Sequence, residues 1–359
     1  MIARAWGWAG HIIVNRNATI HLPDAMQLFK QDSDFFDQHS GDADLRINYN
    51  DTSFYAEWPK HYFAIDDHVV NIRTEPHNLD SLIRKYGWNN VKQDGIIPWA
   101  TVWALDSLTS QLARGDMSKA ELTASDLGHY VADGHQPLRC TVNNNGQFTG
   151  NSGINFRYEF EMMRRNSTSF VIVRDSVRYI ASPIDFIFDY FYHSYSLIDS
   201  VLASDNYAKT ASGWDGNGSP PSSYYDALWE KSNRFTRDQM QRASVALANL
   251  WYTAWVNAGL LNGIEENAHG LAGRFSLKQN YPNPFNPVTN FQFTIHNLQF
   301  VSLKVFDVLG NEVATLVNGA KPPGSYEAKW DASDMASGVY LYRLQAGTFS
   351  QTKKMLLLR

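Results

Sequence analysis

The stretch HYVADGHQPLRC, residues 129–140, places two histidines, an aspartate and an arginine close together. It closes the longer run SKAELTASDLGHYVADGHQ (118–136), which is rich in helix formers and meets no proline until Pro137, where a helix should stop. In a helix His129 and Asp133 share one face, at the spacing that lets two side chains grip a single cation. His135 lies two residues past Asp133 and turns about 200° away at about 100° per residue. It is therefore expected to pack or support rather than join the same ion. On its own, a His-x3-Asp pair is more often a hydrogen-bonded polar helix face than a metal site. The rest of the chain has to decide.

Outward from this stretch the chain reads mostly as helix from about residue 6 to 262. PWATVWALDSLTSQLARG (98–115) opens on proline, carries apolar residues at helical spacing and closes on Gly115. SSYYDALWEKSNRFTRDQMQRASVALANLWYTAWVNAGLL (222–261) is a long amphipathic pattern, expected as two helices or one bent one. Residues 17–60 and 139–155 are richer in Asn, Asp, Gly and Ser and read as long loops, where sites usually sit. After 262 the texture changes. NGIEENAHGLAG, spanning 263–274 in its main part, is a polar linker. Beyond it FQFTIHNLQFVSLKVFDVLGNEVATL and GSYEAKWDASDMASGVYLYRLQAG alternate apolar and polar residues between Gly and Asn turns. That is the period-2 signature of a small β-sandwich over 275–359. The fold class expected is an all-α domain followed by a small all-β domain.

The 359 residues suffice for two cores, and a chain 44% apolar, 14% aromatic and 19% charged is a folded one. The formal charge of −5 supplies no general attraction to nucleic acid. A single cysteine, Cys140, excludes an intrachain disulfide. No apolar run reaches membrane-spanning length. At the start, Ala3-Arg4-Ala5 is an A-x-A pattern of the kind signal peptidase cuts after, with Trp6 next, so residues 1–5 read as the remnant of a signal peptide.

The company of His129 and Asp133 is telling. Trp6-Gly7-Trp8-Ala9-Gly10-His11 puts a histidine just inside the expected mature N-terminus. Asp42 and Asp44 sit in GDADLR, His61 in PKHYFAID and Glu159 in NFRYE. Histidines and carboxylates together suit zinc, a borderline-soft ion taking N and O ligands. These elements, in this order, resemble the superfamily that joins zinc-dependent phospholipase C to the zinc single-strand nucleases. The likeness covers residues 6–165 by motif and, by helical texture, the chain to about 262. It implies a helical fold, three zinc ions and cleavage of phosphodiester bonds.

Carried over by that resemblance, one zinc falls to Asp44, His61, His129 and Asp133. A neighbouring zinc falls to His11 with the amine and carbonyl of Trp6, and Asp133 bridges the two. A terminal amine at Trp6 requires the cut after Ala5, so the chain carrying MIARA is expected to lack that ligand. The third zinc of the family needs a histidine where this chain has Arg139 and another where it has Asn155, with only Glu159 matching. Arginine cannot release a proton to ligate, and an amide is a poor zinc ligand. About two zincs are therefore expected. Arg139 either pairs with Glu159 in a salt bridge or acts as a phosphate clamp in place of the ion. Asp44 doubles as a candidate general base.

Substrate stays open between phospholipid and single-stranded nucleic acid. The opening Trp-Gly-x-x-Gly-His resembles the nuclease branch, and GINFRYE (153–159) the phospholipase branch. Ala9 stands where the phospholipase carries a head-group glutamate. Phe54, Tyr55, Tyr62 and Phe63 are candidate aromatic contacts for a choline-like cation or for bases. A third reading is an exported family member without catalysis that binds phosphate-bearing ligands.

NYPNPFNPVTNFQFTI (280–295) crowds Asn and Pro before a strand. With Lys304-Val305-Phe306-Asp307, Gly310, Gly338-Val339-Tyr340 and Lys353-Lys354-Met355, it resembles the C-terminal sorting domain of type IX secretion cargo. The resemblance implies export through the periplasm by that machinery, to the medium or the bacterial cell surface.

Overall fold

The computed structural model describes residues 6–66, 77–260, 276–295, 299–322, 324–346 and 349–358. The chain divides into two units, Met1–Ile264 and Glu265–Arg359. The expected signal remnant 1–5 and linker 263–274 lie outside the described residues.

The first unit is helical. α1 (Gly7–His21) begins directly after Trp6, whose backbone is left-handed at φ 45°. Three short helices follow: α2 (Gln27–Gln31), α3 (Ser33–His39) and α4 (Asp42–Leu45). The composition of 17–60 predicted a long loop, and here the structure differs. Phe29, Phe36 and Ala43 are fully buried, and this anchorage holds helices too short to stand on propensity alone. The helices α5 (Leu79–Tyr86), α6 (Trp88–Asp94), α7 (Ile97–Ala113) and α8 (Met117–Gly134) come next. A π-helix over Asn155–Met162 runs into α9 (Met163–Asn166). α10 (Pro183–Tyr195), α11 (Ile198–Ser212) and α12 (Ser222–Asn257) complete the unit. α12 is one uninterrupted helix of 36 residues, because neither Gly nor Pro falls within it. Its Trp251 packs edge-on against Phe29 and beside Phe36, with ring centroids 5.4 and 4.6 Å apart.

Two packing features set the later geometry. Gly128 of α8 lies against Asn15 of α1, where a Cβ would come within 2.0 Å of the amide oxygen. Only glycine allows that approach, which draws the two helices together. The turn-rich segment from Thr141 to Gly153 is tied to α11 through a buried network. Arg157 donates to Asp205 at 2.8 Å and to the carbonyls of Asn151 and Ser152, and Asn151 donates to Asp205 at 2.7 Å.

The second unit is a sandwich of two antiparallel sheets. Its strands are β1 (Ser276–Leu277), β2 (Val288–Ile295), β3 (Gln299–Phe306), β4 (Glu312–Lys321), β5 (Gly324–Asp331), β6 (Gly338–Ala346) and β7 (Phe349–Leu357). The sheets run β1-β2-β5 and β4-β3-β6-β7. Alternation does the work expected of it. In β2 the side chains of Thr289, Phe291, Phe293 and Ile295 are buried, and in β6 those of Tyr340, Tyr342, Leu344 and Ala346.

Candidate metal centre

The close approach at Gly128 has a direct consequence for the next residue of α8 and for the residue one turn before Asn15 on α1. His11 on α1 and His129 on α8 stack ring on ring, 3.8 Å between centroids and 6° from parallel. One turn beyond His129, Asp133 sits between histidines. Its Oδ2 lies 3.0 Å from His61 Nδ1 and 3.4 Å from His129 Nε2, and its Oδ1 lies 3.5 Å from His11 Nε2. The carboxylate thus turns one oxygen to each of two groups. Asp44 arrives from α4, its Oδ1 3.7 Å from both His61 Nδ1 and His129 Nε2. Asp42, the other acid of GDADLR, instead pairs with His39 at 2.7 Å.

Two sets of donor atoms lie close enough to share an ion, His61 with His129 and Asp133, and His11 with Asp44 and His129. The chemistry of these donors fits a cation. His61 Nδ1 and His129 Nε2 are 3.1 Å apart, a placement in which two nitrogen lone pairs repel unless a proton or metal lies between them. Both ring nitrogens of His11, and Oδ1 of Asp133, are buried without a hydrogen-bond partner. The set of three imidazoles and two carboxylates is one that zinc accepts.

Supporting contacts orient the ligand atoms. His129 donates Nδ1–H to the Ser40 carbonyl at 2.8 Å, which leaves Nε2 as the inward lone pair. His61 Nε2 lies 3.6 Å from Glu57, a carboxylate that also takes the Tyr130 hydroxyl and the Lys60 ammonium. Glu57 is a residue beside the cluster that sequence reasoning does not single out. Its only local signal is its place four residues before His61.

Burial and charge separate the groups. Burial, with His129 beside it, lowers His11 to about 3, so it is neutral. Burial opposes charge on His129 as well, but Asp133 and Asp44 outweigh it and raise that residue to about 9. Burial works against an ionised Asp133, yet the surrounding histidines hold it far below the ordinary carboxylate range. A bound cation would take over the role of the proton on His129.

Glu159 is not brought into either set. It is fully buried, accepting from Asn155 Nδ2 at 2.6 Å and lying 3.5 Å from Arg139 Nη2. Burial raises it to about 8, with Arg139 opposing that rise. Asn155 and Glu159, four residues apart in the π-helix, lie on one side of it. His135 points elsewhere, donating to the Val131 carbonyl at 2.8 Å and stacking on Tyr190. Trp6 is buried at the head of α1, its carbonyl accepting from Gly10 N–H at 3.1 Å.

A cavity of about 600 Å³ opens onto Asp44, His61, Arg139 and Asn155. Of the aromatics singled out from sequence, Tyr62 lines it. Phe63 is instead core, packed on Trp99 and Phe188, and Phe54 leans on Trp88. Tyr49, Trp58 and Phe156 line the cavity without having been foreseen.

No curated protein matches the chain. Among solved structures, the alpha toxin from Clostridium absonum aligns at 10% identity and TM-score 0.42, over 98% of this chain and 96% of its own. The alpha toxin of an avian strain of Clostridium perfringens aligns at 11% identity and TM-score 0.39, over 98% of each chain. These are loose likenesses, and the chemistry of the centre rests on its own side chains. Among the described residues no helix is long and apolar enough to cross a membrane. Residues 279–358 match the family model of the secretion system C-terminal sorting domain. The chain therefore carries a C-terminal sorting domain of that kind, which marks it for export from a bacterial cell to the medium or the cell surface.

Proposed function

We propose that this is a secreted zinc-dependent hydrolase of phosphodiester bonds with a paired zinc site, and that its substrate is a phospholipid. The observation that carries the reading is the convergence of His11, Asp44, His61, His129 and Asp133, with the two oxygens of Asp133 turned to different histidines. Asp44, His61, His129 and Asp133 would hold one ion. His11, Asp133 and the processed amine and carbonyl of Trp6 would hold the other, as the motif resemblance also suggests. Bound there, zinc supplies Lewis-acid charge beside the scissile ester and eases loss of a proton from water.

The remaining work belongs to side chains. Asp44, on the cavity wall, accepts the proton of the attacking water at a carboxylate oxygen. The Ser40 carbonyl and the Glu57 carboxylate keep His129 and His61 in the orientation their ligand role needs. Trp58 and Tyr62, stacked 6.1 Å apart, narrow the cavity and limit water. The lining favours lipid over nucleic acid. Among the described residues, Arg139 is the one Lys or Arg that lines the cavity, whereas a nucleic-acid strand needs a track of cations for successive phosphates. Tyr49 and Phe156 are lining residues that are also exposed, an apolar rim suited to one phosphodiester on an amphiphile.

The test is zinc per chain by elemental analysis on protein produced with Trp6 first. It is followed by hydrolysis of bis-nitrophenyl phosphate with and without chelator, then of phosphatidylcholine vesicles against single-stranded DNA. Two zincs and chelator-sensitive turnover of the lipid are expected. Zinc without turnover would favour the non-catalytic phosphate-binding reading, and faster turnover of DNA would overturn the lipid assignment.

A further inference from the structure

The wall of the same cavity holds a fixed cation that the paired ions do not account for. Glu159 is fully buried and both of its carboxylate oxygens are engaged, one by Asn155 and one by Arg139. The Arg139 side chain is itself only 14% exposed. Its backbone is pinned on both sides, the N–H donating to the Gln136 carbonyl at 3.0 Å and the carbonyl accepting from Phe63 N–H at 2.9 Å. The guanidinium is therefore delivered to one place, on the wall that also carries Asp44 and His61. It has no lone pair for a metal and never loses its charge, while its planar fork matches a pair of phosphoryl oxygens. Asn155 has turned its amide nitrogen to Glu159. A cation seeking that carboxylate would have to displace two donors.

Charge balance points the same way. Asp44, Asp133 and, when ionised, Glu159 set at most three carboxylate charges against this one guanidinium. Two divalent ions would turn the sum positive, and an enclosed positive site draws an anion.

We infer that Arg139 is the anion clamp of the cavity: braced on Glu159, it binds phosphoryl oxygens and, with Asn155, keeps a further divalent cation out. The inference rests on the paired-zinc reading for its neighbours, and its test does not depend on turnover. Full-length chains beginning at Trp6 would be compared as wild type, Arg139→Met, Arg139→Lys and the double variant Arg139→His with Asn155→His. Zinc content is read by elemental analysis, affinity for inorganic phosphate by calorimetry, and folding by thermal melting. Arg139→Met should keep two zincs and bind phosphate about 10–100-fold more weakly, the size of a lost charged hydrogen bond. Arg139→Lys keeps the charge without the fork and should lose less, which preserves the test if the Met variant folds poorly. The double-His variant should take up a third zinc. Unchanged phosphate affinity in a two-zinc Arg139→Met chain would overturn the clamp and leave the paired centre standing. A double-His chain that stays at two zincs would overturn the exclusion. Fewer than two zincs in wild type would overturn the paired centre, and the clamp with it.

Discussion

The β-sandwich encloses Phe291, Val301, Leu303, Val305, Tyr342 and Leu344, and the only polar side chains it buries, among the described residues, are the neutral Asn280 and Thr289. The helical unit encloses His11, His61, His129, Asp133, Glu159, Arg157 and Asp205. Both units have aromatic-rich apolar cores, so the difference does not come from a shortage of apolar residues in one of them. Burying a charge costs several kcal/mol per ion unless partners answer it. A sorting domain has no reason to bear that cost. In the helical unit the charges fall into two kinds. Arg157 and Asp205 answer each other, with Tyr224 and Lys209 closing the network. The cluster at Asp133 and His11 does not close, and that open arrangement is what makes it the candidate ligand site.

The comparison can be broken at four points. The largest effect is expected from Asp133→Asn. It should abolish zinc uptake and slow phosphodiester turnover about a thousandfold, since metal charge contributes several kcal/mol to the barrier at about 1.4 kcal/mol per decade. In chelator the same variant should also melt lower than wild type, because the carboxylate that the histidines hold ionised, and that keeps His129 charged, has been removed. Zinc analysis and melting curves taken with and without chelator check both statements.

Phe291→Ala should cost the sandwich about 3–5 kcal/mol, the usual range for emptying a buried phenylalanine site. Hydrogen exchange across 288–295 should rise while zinc content stays at the wild-type value. A drop in zinc would show that the two units do not hold their contents independently.

Asp205→Ala strands Arg157 and should cost about 3 kcal/mol, read as a lower melting temperature of the helical unit. Burial opposes ionisation of Asp205, but Lys209, Tyr224 and Arg157 outweigh it and lower its pKa. A depressed carboxylate contributes stability that is full above its unfolded pKa and fades as pH falls through the folded one. The gap between wild type and variant should therefore hold at neutral pH and shrink below about pH 4. A gap independent of pH down to 3 would remove the ion pair as its cause.

Glu57→Gln is the smallest of the four. Loss of a supporting carboxylate behind a ligating histidine weakens metal binding about 10–100-fold. Competition against a chromophoric chelator would read that, with the melting temperature of the chelated protein nearly unchanged. An unaltered zinc affinity would reduce Glu57 to a surface partner of Lys60 and Arg46.

The helices and strands with strong patterns were legible because each is decided locally. Pro98 starts α7, Pro137 ends the run that carries His129, and period-2 burial follows directly from strand geometry. The stretch 17–60 was misread because short helices there are held by Phe29 and Phe36 reaching a distant core, a contact that local composition does not record. The same reason put Phe63 on the cavity in the reading and in the core in the structure.

For the centre, the sequence by itself determined which residue types were available, and that Arg139 and Asn155 stand where ligands would be needed for another ion. It also determined the Gly128 on which the approach of α1 and α8 depends. Only the tertiary structure decided that Asp133 turns one oxygen to each histidine group, that Glu57 stands behind His61, and that Glu159 is taken by Arg139 and Asn155. Spacing along a helix places side chains on a face. Which atoms then meet depends on helices that are far apart in the chain and brought together by packing, and that information is carried by the whole core rather than by any one motif.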